Sequence, residues 1–372
     1  MLASSVQPAP AVSPGGRIVE LDSLRAAAIL AVMCYHEISF PFLHRWTVNG
    51  WIGVDLFFVL SGFLITGILL RSKSKPHYFR RFYGRRLLRI FPPYYAFLTL
   101  TLIVTLLLPG WRQPVSLWAA YYLYLPSLLA PWSHSSQHMP AQLWMALDVC
   151  WSLSVEEFFY MVWAPAVRWL NRRHLLMLVV TMICLAPVTR WLVHRPSHPE
   201  YFFFPARMDS LAWGALLALM VERIQSKRWA PAALAAAALG CAAVFLKTQG
   251  NLDDMRFVVW GYTLLGLTFA LLLWNVLRLP PSHMTRRILR NRATVWIGMT
   301  SYTTYLIHHP VQLILEAAAR HLPARGTLAH AGILGLSFAA AFALSGLSWK
   351  FFEQPILAYK DRWFGLRAAA RQ

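Results

Sequence analysis

Apolar runs of about twenty residues recur along this chain, separated by short basic connections. A helix rises ~1.5 Å per residue, so each run is long enough to cross a hydrocarbon layer of ~30 Å. A chain built this way is a poor candidate for a soluble globule. Of its 372 residues 58% are hydrophobic and only 13% charged, which fits a multispanning membrane protein. The net charge of +20 invites a nucleic-acid reading, but the Lys and Arg residues cluster in the connections, where the positive-inside rule places them. The charge is read as topology, with no nucleic-acid partner.

Candidate spans fall near 22–42, 52–70, 91–108, 144–167, 174–193, 203–221, 229–247, 257–277, 294–316 and 329–351. The expected fold is therefore all-α, a polytopic membrane bundle of about ten transmembrane helices. An eleventh run at 115–130 is short, aromatic and broken by Pro126. The segment 71–89 is read as a loop with eight Lys and Arg residues, and belongs in the cytoplasm. If 115–130 does not cross, the basic groups at Arg168/Arg172/Arg173, Arg223/Lys227/Arg228 and Arg286/Arg287/Arg290/Arg292 also fall inside, with both termini. That reading makes 115–130 an outer interfacial or re-entrant segment. Residues 1–16 read as a disordered cytoplasmic tail without a signal-peptide pattern, 17–358 as one membrane domain, and 359–372 as a basic cytoplasmic tail. The four cysteines lie in apolar segments without metal-ligand spacing, so no disulfide, bound metal or resident organic cofactor is expected.

The groups that stand out are ionisable residues inside these spans, where charge is costly and commonly functional. Arg25 and His36 are eleven residues apart in LRAAAILAVMCYHEI, which puts them on one helix face about 16 Å apart along the axis. Asp22 and Arg25 also read as an ordinary helix-start ion pair, and His36 as a packing histidine. In a polar cavity, however, His36 suits general-base work, because imidazole takes and returns a proton near neutral pH. Such a base needs an orienting group. Glu156 and Glu157 in CWSLSVEEFFYMVWAP offer one, and helical periodicity alone does not say which.

SYTTYLIHHP brings Tyr302, Tyr305 and His308 into apolar surroundings, with Pro310 expected to distort the helix and free backbone groups; His309 reads as structural. Arg86 and Arg89, three apart in RRLLRIFPPYY, are placed at the start of the third span. There, guanidinium groups and unpaired amides together favour phosphate. Membrane anchoring is the plainer alternative. Arg207 and Asp209 in RMDSLAWG read as an intramembrane pair, with a contribution of Arg207 to a donor pocket as the weaker inference.

Taken together, LDSLRAAAILAVMCYH, GVDLFFVLSGFLITGIL, RRLLRIFPPYY, WSLSVEEFFY, RMDSLAWGALLA, SYTTYLIHHP and FFEQP resemble, in order, the acyltransferase family 3 of integral membrane O-acyltransferases. The resemblance covers about residues 18 to 356. Its basic residue, ten intervening residues and histidine fall on Arg25 and His36, and its two arginines three apart on Arg86 and Arg89. Phe158 stands where relatives often carry Gln, and His309 is an extra histidine; neither change removes a proposed catalytic group.

The resemblance implies transfer of an acyl group, acetyl in most cases, from cytoplasmic acyl-CoA to a hydroxyl of a surface glycan such as lipopolysaccharide or exopolysaccharide. It implies His36 as catalytic base, Glu156 or Glu157 as its acidic support, and Arg25, Arg86 and Arg89 as donor-binding groups. Tyr302, Tyr305, His308 and Arg207 complete the expected substrate-binding set. Acyl-CoA is then a co-substrate, membrane lipid the surroundings, and a bacterial inner membrane the expected location. Direct transfer and an acyl-histidine intermediate both fit. Two rivals stand beside this: acylation of a small glycosylated metabolite such as a macrolide, and a glycan or small-molecule transporter or flippase.

Overall fold

The computed structural model describes residues 18–38, 40–132, 139–221, 229–319 and 326–359. The tails at 1–16 and 360–372, the Arg223/Lys227/Arg228 group and residues 320–325 lie outside the described residues. Among the described residues the chain is helical, without a strand.

Among the described residues, ten long helices overlap the ten apolar runs. They are α1 (Val19–Glu37), α2 (Ile52–Ser72), α3 (Tyr78–Leu107), α4 (Cys150–Trp169), α5 (Arg172–Val193), α6 (Phe204–Met220), α7 (Ala230–Thr248), α8 (Tyr262–Arg278), α9 (Arg292–Ala319) and α10 (Thr327–Ser348). Among the described residues, six segments qualify as membrane spans by length and composition: 52–72, 78–107, 172–193, 230–248, 257–278 and 327–358. The long helices outside that set are α1, α4, α6 and α9, the four that hold most of the intramembrane polar groups. The 115–130 run forms helices at Val115–Tyr122 and Pro126–Leu129, each too short to cross a bilayer.

Small residues set the closest approaches. A Cβ on Gly62 of α2 would strike the Leu211 carbonyl of α6, and one on Gly214 of α6 would strike the Val59 carbonyl of α2. Glycine at both positions thus lets two backbones meet, a device that suits helices whose surroundings supply little hydrophobic drive. Gly298 plays the same part between α9 and the Asp22 carbonyl of α1. That contact near their starts, and His36 against His308 farther on, show α1 and α9 running parallel.

One boundary differs from expectation in a way that matters for the site. The basic stretch read as a loop over 71–89 is mostly helix, since α3 begins at Tyr78 and runs unbroken through Pro92 and Pro93. Arg86 and Arg89 therefore sit more than two turns inside α3 and not at its N-terminus. Their own amides belong to the helix, so an anion there is held by side chains, without the free helix-end amides expected above.

Candidate active site

The bundle end that carries the 71–89 stretch opens into a cavity of about 660 Å³. Its wall holds Arg25, Arg71, Lys75, Arg81, Arg85, Arg86 and Arg89, with Asp22 as the lone acid among the described residues. Helical spacing explains the concentration: positions 81, 85 and 89 lie one turn apart along α3, and 86 flanks them. Arg86 packs over the Tyr160 ring at 4.7 Å, and the Nε of Arg25 is buried without a hydrogen-bond partner. Among the described residues neither Arg86 nor Arg89 forms an ion pair of its own. A cavity with seven cationic side chains and one acid is suited to a ligand bearing several phosphates. Arg25, Arg86 and Arg89 stand out in the sequence by their spacing, whereas Arg71, Lys75, Arg81 and Arg85 carry only a topology signal there.

Along α1, about three helical turns from Arg25, lies His36. Its Nδ1 is 3.0 Å from Nε2 of His308 on α9. His308 in turn points Nδ1 at the Tyr305 carbonyl, 2.8 Å away, with the Thr304 carbonyl at 3.2 Å. A carbonyl only accepts, so the His308 Nδ1 carries the hydrogen, and its Nε2 in the neutral ring is a lone pair. His36 must then donate from Nδ1, which leaves its Nε2 as a bare lone pair. Hydrogen-bond logic assigns these tautomers, and the result is the form a general base requires. His309, on the same turn, sets its ring edge-on to His36 at 4.1 Å, with both nitrogens buried and unpartnered.

The side chain that His36 hydrogen-bonds is thus an imidazole, and neither expected carboxylate is its partner. Glu156 instead accepts from Ser61 at 2.6 Å and from Tyr160 at 2.8 Å. Ser61 lines the basic cavity, so Glu156 braces the cavity wall. Glu157 has a buried Oε1 without a partner and lies within electrostatic reach of Arg86. Both acids face the basic half of the bundle.

The two tyrosines are engaged elsewhere. Tyr302 donates to the Ile90 carbonyl at 2.9 Å, tying α9 to α3, and the Tyr305 hydroxyl meets Ser152 at 2.7 Å. Pro310 sits inside α9 without ending it.

Arg207 does not line the cavity. Fully buried on α6, it grips Asp55 of α2 through Nη2, at 3.0 and 2.9 Å to the two carboxylate oxygens, and stacks on Tyr262 at 4.0 Å. Its expected partner Asp209 pairs instead with Arg190 of α5 at 3.0 Å, and Thr263 adds a 2.6 Å bond to the same carboxylate. Both pairs are fully buried and each joins two helices. Asp55 and Arg190 escaped the sequence reading, for their partners are remote in sequence.

Comparison with known proteins gives the family. The family model described as an acyltransferase domain matches residues 18–349. The peptidoglycan O-acetyltransferase OatA of Listeria monocytogenes is 27% identical over 360 residues, covering 91% of this chain and 56% of the relative. The putative peptidoglycan O-acetyltransferase YrhL of Bacillus subtilis is 29% identical, over 93% of this chain and 56% of its own length. O-acetyltransferase OatA of Staphylococcus aureus is 26% identical, over 80% and 51% respectively. The chain thus spans about half the length of these curated relatives. No solved structure matches it.

Proposed function

We propose that this chain, which belongs to the acyltransferase family, is a membrane enzyme that moves an acetyl group from acetyl-CoA to a hydroxyl of a cell-surface glycan. The observation that carries the reading is the His36–His308 pair, standing above a seven-cation cavity on the helix that also brings Arg25 to that cavity. The activities named for the relatives support acetyl as the group and peptidoglycan or a similar glycan as the acceptor class. By the positive-inside rule the basic cavity faces the cytoplasm, and the bacterial relatives support a bacterial cytoplasmic membrane as the location. The donor then enters from the cytoplasm, and the acceptor approaches His36 from outside.

The phosphates of the donor bind among Arg86, Arg89 and their neighbours, and the thioester arm extends along α1 toward His36. His36 Nε2 takes the acceptor's hydroxyl proton as that oxygen attacks the thioester carbonyl. The C–S bond breaks, and the imidazolium returns the proton to the departing CoA sulfur. His308 accepts a hydrogen bond from His36 Nδ1 throughout, fixing the tautomer and spreading the charge of the imidazolium. In this reading the acyl group alone crosses the membrane, and no resident metal or organic cofactor takes part in the transfer.

The test is labelled acetyl-CoA binding, CoA release and transfer to envelope glycans by purified wild type, His36→Ala and His308→Ala. All three should bind the donor. His36→Ala should lose transfer nearly completely, and His308→Ala should lose on the order of 100-fold in kcat, with KM for acetyl-CoA little changed. Substantial turnover by folded His36→Ala removes the assignment of the base. Folded wild type that neither binds nor cleaves acetyl-CoA removes the enzyme reading.

A further inference from the structure

Outside the proposed active site, one cluster of side chains has the makings of a metal centre. The turn after α5 reads HRPSHPE and continues into a short helix, Pro199–Phe202. His194 points Nδ1 at Glu200 Oε1 at 2.9 Å, and His198 points Nδ1 at the same oxygen at 3.3 Å. The three ligand atoms all lie within 4.8 Å of one another. Glu200 is 1% exposed, and its second oxygen, Oε2, is buried with no hydrogen-bond partner. Leaving a buried carboxylate oxygen unsatisfied is costly, which makes it an independent sign of an absent ligand. The histidine side chains are 21% and 25% exposed, so an ion can reach them from solvent.

A second loop completes the arrangement. His198 turns its other nitrogen, Nε2, toward Asp253 Oδ1 at 3.6 Å. Asp253 lies in the turn between α7 and α8, where the neighbouring Asp254 is already taken by Arg256. A carboxylate on the far nitrogen of a ligating histidine is the usual outer support of a metal site, because it fixes the tautomer and raises the ring's basicity.

We infer that His194 Nδ1, His198 Nδ1 and the Glu200 carboxylate bind a divalent transition-metal ion of the zinc class, with Asp253 supporting His198 and solvent as the fourth ligand. Two imidazoles with one carboxylate suit such ions, whereas calcium and magnesium favour all-oxygen sets. With the ion bound, Nδ1 of each ring is the ligand atom and Nε2 carries the hydrogen, so the His198 Nε2–H faces Asp253. The ion is a structural clamp. It ties the turn after α5 to the turn before α8, beside Tyr201, whose ring the Arg207 guanidinium approaches at 5.3 Å.

The test uses full-length protein in detergent, stripped with a chelator and titrated with Co²⁺ and then Zn²⁺. Wild type should take up one equivalent of Co²⁺ with the visible bands of a tetrahedral site, Zn²⁺ should displace it, and the unfolding temperature should rise with metal. His194→Ala and His198→Ala should each weaken binding at least 100-fold. Asp253→Asn, on an exposed turn and safe for folding, should weaken it about 10-fold. His36, His308 and His309 form a second group close enough to hold an ion, so His309→Phe is the control and should leave Co²⁺ binding unchanged. The inference is overturned if folded wild type takes up no metal. It is equally overturned if the 194, 198 and 253 variants bind as wild type does, or if His309→Phe is the change that abolishes binding.

Discussion

Arginines appear in two opposite settings. Arg207 and Arg190 are fully buried, and each faces a carboxylate that is also fully buried. Arg86 and Arg89 stand in a cavity wall where cationic side chains outnumber acids seven to one. In the proposed function the same side chain is internal glue in one place and an anion receptor in the other, and what separates them is whether a carboxylate matches the charge one to one. Two paired charges hold helices together, and removing one leaves its partner buried alone. Cations that outnumber the nearby acids repel one another and lower their energy by taking in an anion.

The largest expected effect probes the sealed setting. Arg207→Ala should lower stability by about 3–5 kcal/mol, because Asp55 is left as a buried unpaired carboxylate. Thermal unfolding in detergent measures it. The double change Arg207→Met with Asp55→Leu should recover most of that loss, and failure to recover would mean that Arg207 acts through more than charge pairing. Gly214→Val, beside the same α2–α6 contact, comes next at about 1–3 kcal/mol, as the added side chain collides with the Val59 carbonyl.

In the open setting the pattern should invert. Arg89→Ala should leave the unfolding temperature near that of wild type while raising KM for acetyl-CoA about 10-fold or more, equivalent to about 1.4 kcal/mol or more. A large loss of stability with no change in KM would erase the contrast between the two settings. The smallest effect is that of salt. Raising ionic strength until the Debye length falls from ~10 Å to ~3 Å should weaken acetyl-CoA binding several-fold and leave the sealed pairs untouched.

Much of this was legible beforehand, for a physical reason that differs from group to group. Runs of twenty apolar residues force helices, and the ten long helices follow those runs. The spacing of Arg25 and His36 places both on one face of α1 whatever surrounds them. The start of α3 was misplaced because a basic stretch looks like a loop, although nothing in it forbids a helix that borders a polar cavity. His308 was noticed, but its partner was not, because periodicity says which way a side chain faces along its own helix and nothing of what stands opposite. Arg207 and Asp209 looked like a pair at close spacing, yet each found its carboxylate or guanidinium on another helix.

The sequence by itself determined the helical class and where the long helices run along the chain, since these depend on length, polarity and periodicity within one segment. The tertiary structure alone decided which groups meet. It matched His36 with His308 instead of a glutamate, sealed Arg207 against Asp55, and gathered seven cations around one cavity. Partnership across helices depends on how close two backbones come and in what register. That is set by residues such as Gly62, Gly214 and Gly298, whose significance appears only when the facing helix is in place.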